Sequence, residues 1–287
     1  MPVPKHIPPD HTDTFRTPDH LNLYMAHWRA TAPPRGVIAL VHGFGEHCGR
    51  YGNLIAPLLS QGFEVYGFDL RGHGRSPGPR GHIDSWAQFR EDVRAYLEAI
   101  RQEGSDLPLF LYGHSMGGLI VLDYALHFPE GLAGVIASGP VLAQPGVSPV
   151  LLFISRVISR IRPSFTVDTH LDANALSRDP DVVRAYLQDP LVHSKASARL
   201  GTELNATVEW VQNHTSEWRL PLLILHGEAD RLSPPEGSRR FIERVSWPDK
   251  MLHLYPGGYH EPHNDLQKEQ VFADLIHWLD AHLSKAP

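Results

Sequence analysis

The sequence contains a single cysteine, Cys48, in 287 residues. No internal disulfide can form, which suits a reducing compartment and leaves stability to a packed core. It lacks any run of about eighteen apolar residues, the length needed to cross a bilayer. Its proline-rich, polar positions 1–11 lack the apolar stretch of a signal peptide. The expectation is a cytoplasmic protein. Basic charge is in deficit: 26 Lys and Arg against 32 Asp and Glu give a net charge of −6, which argues against a nucleic-acid partner. There is no Walker-type loop, internal repeat or cysteine-based zinc pattern, so neither cofactor nor metal is expected. The 19 histidines are scattered along the chain.

The 42% hydrophobic content is ample for one large core. Apolar runs fit strands at 13–17, 21–28, 37–41, 63–68, from 109, 135–137, 222–225 and 251–255. Between them, apolar residues at helical spacing predict helices at about 51–61, 85–102, 116–128, 236–244 and 270–283. Ser85 and Gln88 are spaced as a capping box for the second of these. Strands alternating with helices imply a mostly parallel eight-stranded sheet covered on both faces, an α/β fold. The rhythm breaks between about 140 and 207. The expected organisation is a core of 1–139 and 208–287 with an inserted helical cap, or lid, at 140–207.

The chain is organised around Gly113-His114-Ser115-Met116-Gly117, set between an apolar strand and an apolar helix. A Gly-x-Ser-x-Gly turn in that setting holds the serine on a sharp strand-to-helix elbow with its hydroxyl exposed. A serine hydroxyl needs a base to take its proton and a carboxylate to fix that base. Loops at strand ends supply both: Asp230 follows the 222–225 strand, and His260 follows the 251–255 strand. His263, in the same loop, and His253, within the strand, are rivals for the base; Glu228 is the rival for the acid. The oxyanion donors are expected from the Met116 N–H and from the 42–45 loop, at the Phe44 N–H. His42 reads as a brace for that glycine turn, the 69–74 loop as a self-bonded structural turn, and Cys48 as a bystander. Ser76 and Ser138 lack an elbow. Glu46 and Arg50, taken as residues alone, read as a solvated ion pair.

His42-Gly43-Phe44-Gly45-Glu46-His47-Cys48-Gly49-Arg50-Tyr51, Gly113–Gly118, Gly227-Glu228-Ala229-Asp230-Arg231 and Tyr259-His260 together resemble the monoacylglycerol lipase branch of the α/β hydrolases. That branch is also grouped with serine aminopeptidase-like hydrolases and lysophospholipases. The resemblance spans residues 20–280. It implies the α/β-hydrolase fold and metal-free hydrolysis of a single-acyl-chain ester through an acyl-enzyme. Lysophospholipid, thioester or peptide substrates are the alternatives within the same machinery, and a non-catalytic receptor is a third reading. The resemblance also implies that Glu46, Arg50 and His263 meet the glycerol end of the substrate and that Tyr186 is a lid tyrosine. Phe44 departs from the family, which often has a small residue there, and this bears on pocket width.

Within the insertion, Val150, Phe153, Ile154, Val157, Ile158 and Ile161 recur at helical spacing, with Ser155, Arg156, Ser159, Arg160 and Arg162 mostly opposite. Such a helix either packs over the pocket as a lid or exposes apolar surface to a bilayer or micelle, giving the protein a peripheral membrane contact around 150–161.

Overall fold

A strand whose every residue is apolar must be covered on both sides, because successive side chains point to opposite faces. Strand β3 (Gly36–Val41) is of this kind: Val37, Ala39 and Val41 enter one core, Ile38 and Leu40 the other. The computed structural model describes residues 7–104, 106–143 and 149–283, the side chains of 149–154 excepted. β1 (His11–Arg16), β2 (Asn22–Trp28), β3, β4 (Phe63–Phe68), β5 (Leu109–His114), β6 (Gly134–Ser138), β9 (Leu222–Gly227) and β10 (Lys250–Tyr255) form one sheet in the order β1-β2-β4-β3-β5-β6-β9-β10. Only β2 runs against the rest. This is the mostly parallel eight-stranded α/β-hydrolase sheet expected.

Helices close both faces. On one side lie α2 (Ala87–Gln102), α3 (Met116–His127) and α7 (Glu236–Arg244), with Phe89, Val93, Tyr96, Leu97 and Phe241 buried. On the other lie α1 (Gly52–Ser60) and α8 (Lys268–His282), with Leu54, Ile55, Leu58, Leu275, Trp278 and Leu279 buried. Each such side chain contributes roughly 1.5–3 kcal/mol by leaving water.

Between β6 and β9 the chain inserts α4 (Pro149–Ile161), the short hairpin strands β7 (Thr166–Asp168) and β8 (Lys195–Ser197), α5 (Pro180–Gln188) and α6 (Ala198–Asn213). α6 runs unbroken across residue 207, and Leu200 and Val211 on it are both buried in the first core.

The expected capping box is not formed. α2 starts at Ala87, and no side chain caps it. Trp86, itself buried, donates its N–H to Glu203 of α6 at 2.8 Å, while the Gln88 Oε1 accepts from the Asp84 N–H at 2.8 Å. Burial of the indole fixes the helix start, and a distant glutamate replaces Ser85. At α1 the predicted start is replaced by a 3-10 turn, Cys48–Tyr51, which His47 caps by accepting from the Gly49 N–H.

Candidate functional site

The strand-to-helix turn at Ser115 is one residue long: β5 ends at His114 and α3 begins at Met116. Ser115 sits at φ 56°, ψ −118°, a region that costs a non-glycine residue on the order of 1–3 kcal/mol and persists only where the surroundings enforce it. Both flanking glycines are required by contact. A Cβ on Gly113 would overlap the Gly117 carbonyl, and one on Gly117 would overlap the carbonyls of Val41 and His42. The Ser115 N–H donates to the Ser138 carbonyl at 2.9 Å, which pins the elbow to β6.

Two further loops reach the serine because they are bonded to each other. The Ala229 N–H donates to the Gly258 carbonyl at 2.9 Å, and Gly227 lies so close to the Gly258 and Tyr259 carbonyls that no side chain fits there. The loop after β9 is thereby joined to the loop after β10, and Asp230 meets His260. His260 Nε2 lies 2.8 Å from Ser115 Oγ, and its Nδ1 lies 2.7 Å from Asp230 Oδ2. Asp230 Oδ1 accepts the N–H groups of Leu232 (2.8 Å) and Ser233 (2.9 Å). Burial disfavours charge on Asp230, but the charge of His260 and the hydrogen bond from His226 outweigh it and hold the carboxyl far below the usual range. Burial likewise disfavours charge on His260, but Asp230 outweighs it and makes the ring more basic than a free imidazole. A hydroxyl, a basic imidazole and an ionised carboxylate in this order can generate a serine nucleophile.

The rivals stand elsewhere. His253 lies on the edge strand β10, 3.0 Å from Met251 Sδ. Glu228 pairs with Arg239 at the surface. His263 is stacked on Tyr51 with ring centroids 4.8 Å apart.

The loop after β3 faces the elbow. His42 is fully buried and braces it: Nε2 accepts the Leu70 N–H at 2.9 Å, so Nδ1 carries the proton and donates to the Gly43 carbonyl at 2.7 Å. Among the described residues no acceptor lies on the Phe44 N–H. Met116 is the first residue of α3, where N–H groups have no partner within the helix. The Phe44 ring packs edge-on between His73 and His193, centroids 5.9 and 5.8 Å away, and the His193 N–H donates to the Gly45 carbonyl at 2.8 Å. Phe44 therefore wedges this loop against the insertion. Asp69 is spent on the Cys48 and Arg75 N–H groups, and Cys48 is buried beside it.

Glu46 and Arg50 are not a solvated pair. Their side chains are only 4% and 9% exposed, and Arg50 bridges Glu46 and Glu261. Glu46 Oε1 accepts the Gly43 N–H and the Tyr51 hydroxyl, both at 2.7 Å. The 3-10 turn Cys48–Tyr51 brings Arg50 and Tyr51 to Glu46, and Glu261 from the loop after β10 closes over Arg50. The Arg50 guanidinium lies 4.8 Å over the Tyr186 ring. His263 is buried, which lowers it to about 4, and its Nδ1 has no protein partner. Glu46, Arg50, Tyr186 and His263 thus form one cluster beside the serine. Sequence reasoning missed Tyr51, Glu261, His114 and His226. Glu261 adjoins His260 and Tyr51 shares a turn with Arg50, whereas nothing in the spacing marked His226. Among the described residues no three His, Cys, Asp or Glu side chains converge as a metal site.

Among the described side chains of α4, Ser159 is buried and Ile158 is partly buried. Ser159 is 1% exposed and hydrogen-bonds Thr202 of α6 at 2.9 Å, whereas Val157 is 39% and Ile161 74% exposed. Phe165, Val167 and Leu187 of the insertion are exposed too. Val150, Phe153 and Ile154 lie outside the described side chains. No helix among the described residues is long and apolar enough to cross a membrane.

The sheet order and the serine on its strained strand-to-helix turn define the class: the protein is an α/β hydrolase. More narrowly, residues 32–267 match the family model for serine aminopeptidase, S33, and the chain belongs to that family. It is 40% identical over 258 residues to a monoacylglycerol lipase of Mycolicibacterium smegmatis, covering 89% of this chain and 92% of that protein. It is 34% identical to Phospholipase YtpA of Bacillus subtilis, covering 89% and 99%. The crystal structure of Paleococcus ferrophilus monoacylglycerol lipase superposes with a TM-score of 0.83 at 40% identity, over 91% of this chain and 99% of that one.

Proposed function

We propose that this chain is a carboxylic ester hydrolase that cleaves monoacylglycerols to fatty acid and glycerol. The observation that carries the reading is the Ser115–His260–Asp230 relay, with contacts of 2.8 and 2.7 Å, in a chain similar to monoacylglycerol lipases along most of its length. Ser115 Oγ attacks the ester carbonyl while His260 Nε2 takes its proton. The Phe44 and Met116 N–H groups hold the oxyanion, each such donor being worth on the order of 10²–10³ in rate. His260 then protonates the leaving alcohol, and water repeats the two steps on the acyl-enzyme. Arg50, Tyr186 and His263 face the alcohol, with His263 Nδ1 as a hydroxyl partner, and Glu46 holds Arg50 in place. Residues 140–207 act as a cap over this site.

The test is a hydrolysis panel of mono-, di- and triacylglycerols, lysophospholipids and p-nitrophenyl esters, run beside Ser115→Ala. Monoacylglycerol turnover that is lost in a folded Ser115→Ala protein supports the reading. Equal rates on di- and triacylglycerols reject it. Preference for a lysophospholipid selects the second reading, which the similarity to a phospholipase favours.

The same proposal extends to a lipid surface. Val157, Ile161, Phe165, Val167 and Leu187 are exposed apolar side chains of the insertion, and Arg156, Arg160 and Arg162 supply cations in the same segment as the first three. Val157→Asp with Ile161→Asp weakens sedimentation with anionic phospholipid vesicles; unchanged sedimentation overturns this contact.

A further inference from the structure

Strand β9 carries a histidine that the proposed relay does not use. His226 is fully buried in a strand whose other members, Leu222, Leu223, Ile224 and Leu225, are equally buried and apolar. An imidazole in such a place is costly unless its nitrogens are satisfied, and here both are committed. Nε2 faces two acceptors, Asp230 Oδ2 at 3.1 Å and the Ser233 carbonyl at 2.9 Å. That nitrogen must therefore carry a proton. Nδ1 lies 2.8 Å from Ser238 Oγ of α7, so the ring is fixed from both ends.

We propose that His226 is a positioning residue for the Asp230–His260 pair, orienting the carboxylate and taking up part of its charge, and so setting the basicity of His260. The inference rests on the esterase reading above. Its geometric basis is the sharing of one oxygen. Asp230 Oδ1 is anchored by the Leu232 and Ser233 N–H groups, whereas Oδ2 accepts from both His226 Nε2 and His260 Nδ1. The backbone donors fix one carboxylate oxygen in space, and His226 sets where the second one points. It also competes with His260 for the charge on that oxygen. Without it, the whole of Oδ2 is presented to His260, and the imidazolium form is stabilised further. The other groups around His260 are unaffected by the change: Glu261 and Glu46 favour its cation, the His114 ring packs 5.0 Å away, His263 adjoins it, and Arg50 is held by Glu46 and Glu261.

The experiment compares His226→Met, which fills the space without a donor, with His226→Gln, whose amide restores one. Both are assayed on the p-nitrophenyl ester best cleaved by the wild type, across pH, with active sites counted by a fluorophosphonate. In His226→Met, kcat falls about 10- to 100-fold, the factor a lost hydrogen bond to a charged group corresponds to, and KM stays near the wild-type value. The acid limb of kcat/KM moves to higher pH, because a more basic His260 loses its proton only at higher pH. His226→Gln recovers most of the rate and moves the limb back. A folded His226→Met with the wild-type rate and limb overturns the proposal. So do equal losses in both variants with an unmoved limb, which would mark His226 as structural. If His226→Met does not fold, Ser238→Ala, which frees the ring from its other side, carries the test, and an unmoved limb there overturns the proposal too. If the wild type cleaves no ester, the functional reading fails and this inference with it. If it does and the variants match it, this inference alone fails.

Discussion

Removing Glu46 separates two roles that one side chain can have. Its carboxylate accepts the Gly43 N–H and the Tyr51 hydroxyl at 2.7 Å and is ion-paired to Arg50, all inside the protein. In Glu46→Ala the Gly43 N–H and the Tyr51 hydroxyl lose their acceptor, and Arg50 keeps only Glu261. Breaking a buried ion pair on one side costs about 3–5 kcal/mol, which corresponds to a Tm fall of roughly 5–15 °C for a chain of this size. Differential scanning fluorimetry reads this directly. The kinetic consequence follows from position. Gly43 adjoins Phe44, so a loosened loop withdraws the proposed oxyanion donor, and kcat should fall by about 10². That loss should be the same for monoacylglycerols and p-nitrophenyl esters, because the oxyanion belongs to the carbonyl both share. Glu46→Gln keeps an acceptor toward Gly43 and should lose far less. A different result refutes the reasoning: a KM increase for glyceryl esters alone, with p-nitrophenyl turnover and Tm at wild-type values. Glu46 would then be a recognition group and nothing more.

The remaining predictions concern pH, packing and acid stability. As the proposed base, His260 must be neutral, and Asp230 raises its pKa, so kcat/KM should fall as pH drops through a value above the ordinary imidazole 6.5; a limb below 6.5 contradicts this. Burial lowers His42 to about 3 and His263 to about 4, and it holds His73 and His114 well below 6.5. The unfolded chain therefore binds protons first. The contribution of these four histidines is full above about pH 6.5 and declines below it, by up to about 1.4 kcal/mol per pH unit for each, while the raised His260 contributes in the opposite sense. Urea midpoints measured between pH 4 and 7 check this, and a flat profile refutes it. Gly117→Ala drives a methyl group into the Val41 and His42 carbonyls and should cost several kcal/mol of stability together with turnover, read by urea unfolding and ester hydrolysis; wild-type values would contradict the packing argument.

Much of this was legible in the chain because the physics is local. Fully apolar strands declare burial on both faces, and Gly113 and Gly117 around Ser115 declare a turn that admits no side chain. Asp230 and His260 could be paired because each ends a strand. Other features depend on contacts far apart in sequence. The start of α2 is set by Trp86 bonding Glu203, more than a hundred residues away, and a local capping pattern cannot report it. Glu46 and Arg50 look like surface charges until Glu261 arrives from the loop after β10 to bury them. His226 lies in an apolar strand, where spacing gives no hint that its ring turns toward Asp230. On α4 the period was plain, but which side is covered depends on Ser159 finding Thr202 of α6.

The wedge formed by Phe44 has a kinetic meaning. The ring is gripped by His73 from the core and His193 from the insertion, and the adjoining Gly45 carbonyl accepts the His193 N–H. The loop offering the Phe44 N–H is therefore stiff only while the segment around His193 is seated. If the Phe44 N–H is the oxyanion donor proposed above, lifting that segment to admit or release an acyl chain would slacken it. Entry and bond cleavage would then be successive rather than simultaneous, and an enzyme standing open would also be an enzyme at rest.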